Sequence, residues 1–312
     1  MQKIIGVLLI ALMVGCTQVD IKPPSESEVG TLNNVQTLNG PAIATQLNTL
    51  YSRKFPNCNK SDSQPAFLCS GVTLRVTVKD PNNIYKVWDP SPASIKNGGV
   101  AFSYLRADSN FGRLAWGHGN GYILYPIFEA PTDKYDLDYL CSYPYDAWTW
   151  TRNANAVCVA HPTYPAQSQI CHNAGVTSAE QWLTVWKTPG GNPNQRQCGF
   201  DVSDDRNTLA GPAFYQSIRA RGLAGVTGYN EHNEILIKTW SFRDPNKFPI
   251  MAFFYIYGGT NAGLAEARYN QQDFYNSTNP RIVVPIVRLT PAASADGNSS
   301  FSYAPADQVV TQ

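Results

Sequence analysis

The chain has 312 residues; 43% are hydrophobic and 12% aromatic, but only 15% are charged, against roughly 25% in an average soluble domain. Lys and Arg number 24 and Asp and Glu 23, a formal net charge of +1, which argues against a nucleic-acid binder because that function needs a basic excess or patch. The hydrophobic content excludes an acidic disordered chain, and the length allows one large domain or two modest ones.

Residues 1–16 read MQKIIGVLLIALMVGC. Lys3 precedes an apolar run from Ile4 to Val14, the pattern of an export signal. The run is too short for a membrane-spanning helix, which needs about 20 apolar residues. It closes on Met13-Val14-Gly15-Cys16, which resembles the bacterial lipobox. That resemblance implies that residues 1–15 are a removable signal peptide and that Cys16 is lipidated as the new N-terminus. Thr17 follows where Asp would mark inner-membrane retention, so an outer-membrane lipoprotein is expected; the alternative is an ordinary signal peptide and a secreted protein. Residues 16–40 carry Pro23-Pro24 with scattered Ser, Glu and Asn, and read as a flexible tether. No second apolar run reaches membrane length, so membrane contact is expected through the lipid alone.

A globular α+β domain is expected over residues 41–290. In 41–55, Ile43, Leu47, Leu50 and Tyr51 share a helical face. In 70–79, Val72, Leu74, Val76 and Val78 alternate with Thr73, Arg75 and Thr77, which predicts a half-buried strand. Residues 99–105 and 121–128 also read as strands. Thr177-Ser178-Ala179-Glu180 predicts a capping box opening a helix through Trp182, Leu183 and Trp186. Asn207–Arg221 is a second helix whose start Gly211-Pro212 delays. Glu234–Phe242 and Pro249–Tyr257 read as a pair of strands. Gly258-Gly259 then breaks the chain ahead of a helix over Asn261–Tyr275. A last strand covers Arg281–Leu289, and its Pro285 favours an edge. About four helices and strands without regular βαβ alternation predict one α+β domain with an antiparallel-rich mixed sheet. Residues 291–312, rich in Ala, Ser and Asn, read as a loose tail.

With Cys16 set aside, Cys58, Cys69, Cys141, Cys158, Cys171 and Cys198 remain. An even set in an exported chain predicts disulfides. Neighbour pairing is the simplest of the arrangements: Cys58–Cys69, Cys141–Cys158 and Cys171–Cys198, each worth about 2–4 kcal/mol if unstrained. No CxxC pair supplies zinc-finger spacing, and His118, His161, His172 and His232 form no HExxH. No metal or resident cofactor is expected. A GxSxG elbow, a Walker A loop and a Rossmann fingerprint are all missing. The segment Gly258–Gly263 lies between strand and helix, where it either cradles an anion or simply turns the chain.

Two segments carry more chemistry. At Arg106-Ala107-Asp108 a strand ends in an Arg suited to bidentate phosphate binding, or in a strand-end salt bridge. In Asn230-Glu231-His232-Asn233-Glu234 two carboxylates precede a strand, a rigid mount for a catalytic acid, or a solvated corner.

Several phrases resemble the halovibrin family of secreted bacterial proteins: Pro65-Ala-Phe-Leu-Cys-Ser-Gly-Val72, Pro90-Ser-Pro-Ala-Ser-Ile-Lys-Asn-Gly-Gly-Val100, Phe102-Ser-Tyr-Leu-Arg-Ala-Asp-Ser109, Cys141-Ser-Tyr-Pro-Tyr-Asp-Ala-Trp-Thr149 and Asn233-Glu-Ile-Leu-Ile237 with Thr239-Trp240. The resemblance covers roughly residues 41–290 and implies NAD glycohydrolase or ADP-ribosyltransferase activity, with NAD as substrate and a protein as acceptor in the transfer case. The order Arg106, Thr177-Ser178, Glu231/Glu234 is also similar to that of cholera-toxin-like ADP-ribosyltransferases. It departs from them in lacking the first Ser of the middle element and in spacing its acids E-x-x-E, with His232 between.

Cleaving the nicotinamide–ribose bond passes through an oxocarbenium-like state, as in glycoside hydrolysis. A carboxylate near the ribose stabilises that positive charge, and Glu234 is the candidate for it, with Glu231 or His232 as the group positioning water. Arg106, with Asp108 beside it, clamps the pyrophosphate. Trp148, Tyr145 or Trp240 stacks on the cationic nicotinamide. The competing class is a non-enzymatic surface lipoprotein that binds glycans or another envelope protein through exposed aromatics.

Overall fold

The computed structural model describes residues 30–32, 35–52, 70–77, 99–112, 114, 119–126, 138–145, 170–188, 198–201, 210–223, 232–238, 244–259 and 261–310. Eleven strands and four α-helices are present among them. In chain order they are β1 (Gly30–Leu32), β2 (Val35–Thr37), α1 (Gly40–Ser52), β3 (Val72–Val76), β4 (Val100–Leu105), β5 (Asn120–Leu124), β6 (Asp138–Tyr143), α2 (Ala179–Lys187), α3 (Ala210–Leu223), β7 (Glu234–Lys238), β8 (Ile250–Ile256), α4 (Asn261–Ser277), β9 (Arg281–Val283), β10 (Ile286–Thr290) and β11 (Ser300–Tyr303).

The main sheet has eight strands in the order β11-β10-β8-β5-β3-β4-β7-β6. Only β8 and β10 run parallel; the other pairs are antiparallel. The fold is therefore α+β. Both faces of the sheet are covered, which explains why central strands such as β8 (IMAFFYI) lack polar alternation. On one face Val100, Phe102, Tyr104, Tyr122, Ile235, Ile237 and Phe253 pack under Trp182 of α2, Phe214 and Ile218 of α3, and Phe274 of α4. On the other, Val72, Leu74, Leu105, Ile123, Phe254 and Val287 pack under Ile43, Leu47, Leu50 and Tyr51 of α1. That α1 stripe is the one its 3.6-residue period predicts.

Several expectations are corrected. Glu234–Phe242 and Pro249–Tyr257 do not pair: β7 lies between β4 and β6, and β8 lies between β5 and β10. Each strand finds partners whose alternating residues bury on matching faces, and chain proximity does not decide it. The strand expected over Arg281–Leu289 breaks at Pro285. Its first part joins β2 in a small sheet, and its second part joins β8 and β11 inside the main sheet. Pro285 thus marks a switch between sheets, and β11 takes the edge. The expected tether contributes β1 and β2 to that small sheet. The expected loose tail supplies β11, whose backbone is held at Phe301 by Asn48 of α1 through bonds of 2.7 and 2.9 Å. Asp307 beyond it is buried and accepts from Arg288 at 2.7 and 3.1 Å and from Tyr255 at 2.9 Å. The capping box of α2 forms one residue later than predicted, with Ser178 as cap and Gln181, not Glu180, closing it. The residue pair Thr177-Ser178 thus serves the helix start.

Cys171 and Cys198 form a disulfide, and Cys141 is disulfide-bonded as well. Cys16, Cys58, Cys69 and Cys158 lie outside the described residues, as do residues 1–29. Among the described residues, no helix is long and apolar enough to cross a membrane.

Candidate functional site

The candidate site lies where β4 ends and β7 begins. These neighbours are antiparallel, with Phe102 opposite Ile235, so the C-terminal end of β4 and the N-terminal end of β7 meet at one end of the sheet. The regular ladder stops there. Its next step is completed by a side chain: Asn233 Oδ1 accepts from the Tyr104 amide at 2.7 Å, and Asn233 Nδ2 donates to the Tyr104 carbonyl at 2.7 Å. The amide satisfies both backbone groups that a paired strand would have satisfied. Asn233 is fully buried, so this clamp fixes the residues that follow it on β7 relative to the turn that follows β4.

That turn, Arg106–Ser109, is closed by the Ser109 amide donating to the Arg106 carbonyl at 2.9 Å. The Arg106 side chain is 0% exposed. Its Nε donates to Asp108 Oδ1 at 2.6 Å and its Nη2 to Asp108 Oδ2 at 2.9 Å, a bidentate pair. Nη1 donates to Ser70 Oγ at 2.8 Å, and Nη2 also donates to the Tyr215 hydroxyl of α3. That hydroxyl in turn donates to Asp108 Oδ2. The guanidinium stands 4.0 Å from the Tyr215 ring centroid. Gly71, at φ +72°, delivers Ser70 to this cluster; a Cβ on it would collide with the Tyr104 ring. Burial pushes the Tyr104 hydroxyl above its ordinary pKa, with the Arg106 charge opposing the rise. Arg106 is therefore a buried, saturated ion-pair centre. Of the two readings of this turn, the strand-end salt bridge is the one the geometry adopts, and no donor of Arg106 faces solvent.

Helix α3 ties the turn to β7. Tyr215 sits on Asp108, and two turns later Arg221, also buried, donates from Nη1 to the His232 carbonyl at 3.1 Å. The His232 ring meets Phe111 edge-on at 6.4 Å. Between Tyr215 and Arg221 on α3, Arg219 places its Nε 3.6 Å from Asp108 Oδ2 while 47% of its side chain stays exposed. No motif in the sequence marks Tyr215 or Arg219. Their i,i+4 spacing puts them on one helical face, but nothing local indicates that this face meets the Arg106 turn.

Glu234 is 4% exposed. Ile235 and Ile237 belong to the core under α2–α4, whereas Leu236 packs with Cys141 and Tyr143. By alternation Glu234 shares the Leu236 face, and the register sets it directly opposite Tyr143 of β6. Tyr143 meets Tyr145 edge-on at 6.3 Å, and Tyr145 stacks on Trp182 at 6.3 Å, with Trp182 stacked in turn on Trp186 at 5.8 Å. The fold thus sets Glu234 opposite Tyr143 at the β6–β7 side of this sheet end, with Tyr145 against Tyr143, whereas the His232 ring turns to Phe111 beyond the β4 turn. It places Arg106 and Asp108 at the β4–α3 side. Glu231, Trp148 and Trp240 lie outside the described residues. Of the four histidines, His118 and His161 also lie outside, and His172 is exposed. Gly258, at φ +80°, lies in the turn between β8 and α4. Among the described residues, no group of three or more His, Cys, Asp and Glu is arranged to hold a metal ion.

No protein-family model matches the chain, and no curated protein matches it.

Proposed function

We propose that this domain is an exported NAD glycohydrolase, with ADP-ribosyl transfer to a protein acceptor as a second outcome of the same bond cleavage. The observation that carries the reading is the mounting of Glu234. It is a buried carboxylate on the first residue of a strand, locked in register by the Asn233 clamp, with Tyr143 of β6 directly opposite it. The resemblance of the surrounding phrases to the halovibrin family supports the same chemistry.

In this mechanism the Glu234 carboxylate lies against the ribose and stabilises the positive charge that develops as nicotinamide leaves. Tyr145 offers its face to the cationic ring before departure. His232, adjacent to the clamp, orients the attacking water. The Arg106–Asp108 pair holds the β4 turn and contributes no free donor to the substrate. The disulfide Cys171–Cys198 fits an oxidising compartment, which supports export.

The test is incubation of the purified mature domain with NAD, following free nicotinamide and ADP-ribose, then adding candidate acceptors. Glu234→Gln keeps the shape and removes the charge, and kcat should fall on the order of a hundredfold or more. Full activity in that variant overturns the assignment. The second reading, a glycan-binding surface lipoprotein, has one observation in its favour: Tyr257 and Tyr269 are about half exposed. It predicts glycan binding abolished by Tyr257→Ala and no nicotinamide release.

A further inference from the structure

Three arginines converge on this end of the sheet, and their environments differ. Arg106 and Arg221 are buried; Arg106 is spent on Asp108, Ser70 and Tyr215, and Arg221 holds the His232 carbonyl. Arg219 is half exposed, and its contact with Asp108 is 3.6 Å, an ion-pair distance beyond a hydrogen bond. Asp108 already receives two bonds from Arg106 and one from the Tyr215 hydroxyl, so it neutralises the buried cation. Two guanidinium groups thus face one carboxylate, and the excess positive charge lies on the exposed one.

The Tyr215 ring fixes where that charge is presented. Arg106 stacks on it at 4.0 Å and Arg219 approaches it at 5.6 Å. A ring packed by the buried Arg is a rigid base that limits the rotamers of the exposed Arg, so less entropy is lost when its planar fork binds a ligand. In a chain of net charge +1, anion recognition depends on such a local group and not on the overall field.

We propose that Arg219 recognises the pyrophosphate of the dinucleotide, in the role that the sequence alone assigned to Arg106. This rests on the NAD reading for the identity of the ligand. The phosphates displace the long contact to Asp108 and take bidentate bonds from the guanidinium.

Steady-state kinetics of Arg219→Ala and Arg219→Lys, on NAD and on nicotinamide riboside, test this. Nicotinamide riboside has the scissile bond but no pyrophosphate. The ratio of kcat/KM for NAD to that for nicotinamide riboside should fall at least tenfold in Arg219→Ala, mainly through KM for NAD, and partly recover in Arg219→Lys. An unchanged ratio overturns the proposal. If the wild-type domain does not cleave NAD, the functional reading falls by itself, and titration of wild type and Arg219→Ala with inorganic pyrophosphate decides the site. Binding by wild type that weakens at least tenfold in the variant upholds an anion site at Arg219. Equal binding, or none by wild type, overturns it. Because the side chain is half exposed, the variant should unfold at the wild-type urea midpoint.

Discussion

Asp108→Ala is the sharpest test of how the Arg106 cluster is built. The substitution deletes two charge-assisted bonds, of 2.6 and 2.9 Å, each worth about 1.5–3 kcal/mol. It leaves Arg106, with no exposed surface, as a buried cation without its counter-ion. Breaking a buried pair by removing one partner costs about 3–5 kcal/mol. Asp108 is 12% exposed, and Ser70 and Tyr215 still accept from Arg106, so the lower end, about 3 kcal/mol, is expected. That is a large share of the roughly 5–15 kcal/mol by which a domain is stable. Urea unfolding of the oxidised protein at neutral pH measures it, with Arg106→Met and the double variant completing a cycle. Met fills similar volume without charge, so the double variant should be about 2 kcal/mol more stable than the sum of the single losses predicts. A loss below about 1 kcal/mol for Asp108→Ala, or strict additivity, would refute the buried-pair account.

Asn233→Ala removes both bonds to Tyr104 and strands two buried backbone groups, at a cost of about 2–4 kcal/mol; the Tyr104 amide should exchange with solvent faster, and unchanged exchange refutes the clamp. Asp307 gives a pH prediction. Burial opposes its ionisation, but the bonds from Arg288 and Tyr255 outweigh that and hold its carboxyl below the ordinary value. A depressed folded-state value means that the stabilisation is complete above the ordinary carboxylate pKa of about 3.9 and is lost as pH falls through the folded value. Asp307→Asn should therefore be less stable at neutral pH and show a shallower loss below pH 4, measured by urea midpoints across that range. Replacing both Cys171 and Cys198 by Ser opens a 27-residue separation, which should cost about 3 kcal/mol, and dithiothreitol should then lower the melting temperature of the variant less than that of wild type.

Elements whose burial follows their own periodicity were legible in the sequence. The α1 stripe, the strand β3 and the helices α2, α3 and α4 all lie within a residue or a few of where the pattern predicts them, but the half-buried alternation expected in β3 is lost because both sheet faces are covered there and Thr73 is buried with Val72 and Leu74. The Arg106–Asp108 pair was legible as one of two readings because its partners are two residues apart. The Asn233 clamp was not: Asn233 and Tyr104 are 129 residues apart, and Tyr215 is 109 from Arg106. A lone Asn before a strand carries no local sign of the backbone it will satisfy.

The same division runs through the whole molecule. By itself the sequence determined the α+β class, the approximate places of the four helices and several core strands, and the residue types available for chemistry, because hydrophobic period and capping are set by neighbours along the chain. Only the tertiary structure decided which strands pair, that Pro285 passes the chain between two sheets, and that residues 300–310 close the domain. It also decided which of three arginines keeps a face to solvent. Those outcomes depend on matching buried faces and satisfying buried polar groups, and the partners for both come from distant parts of the chain.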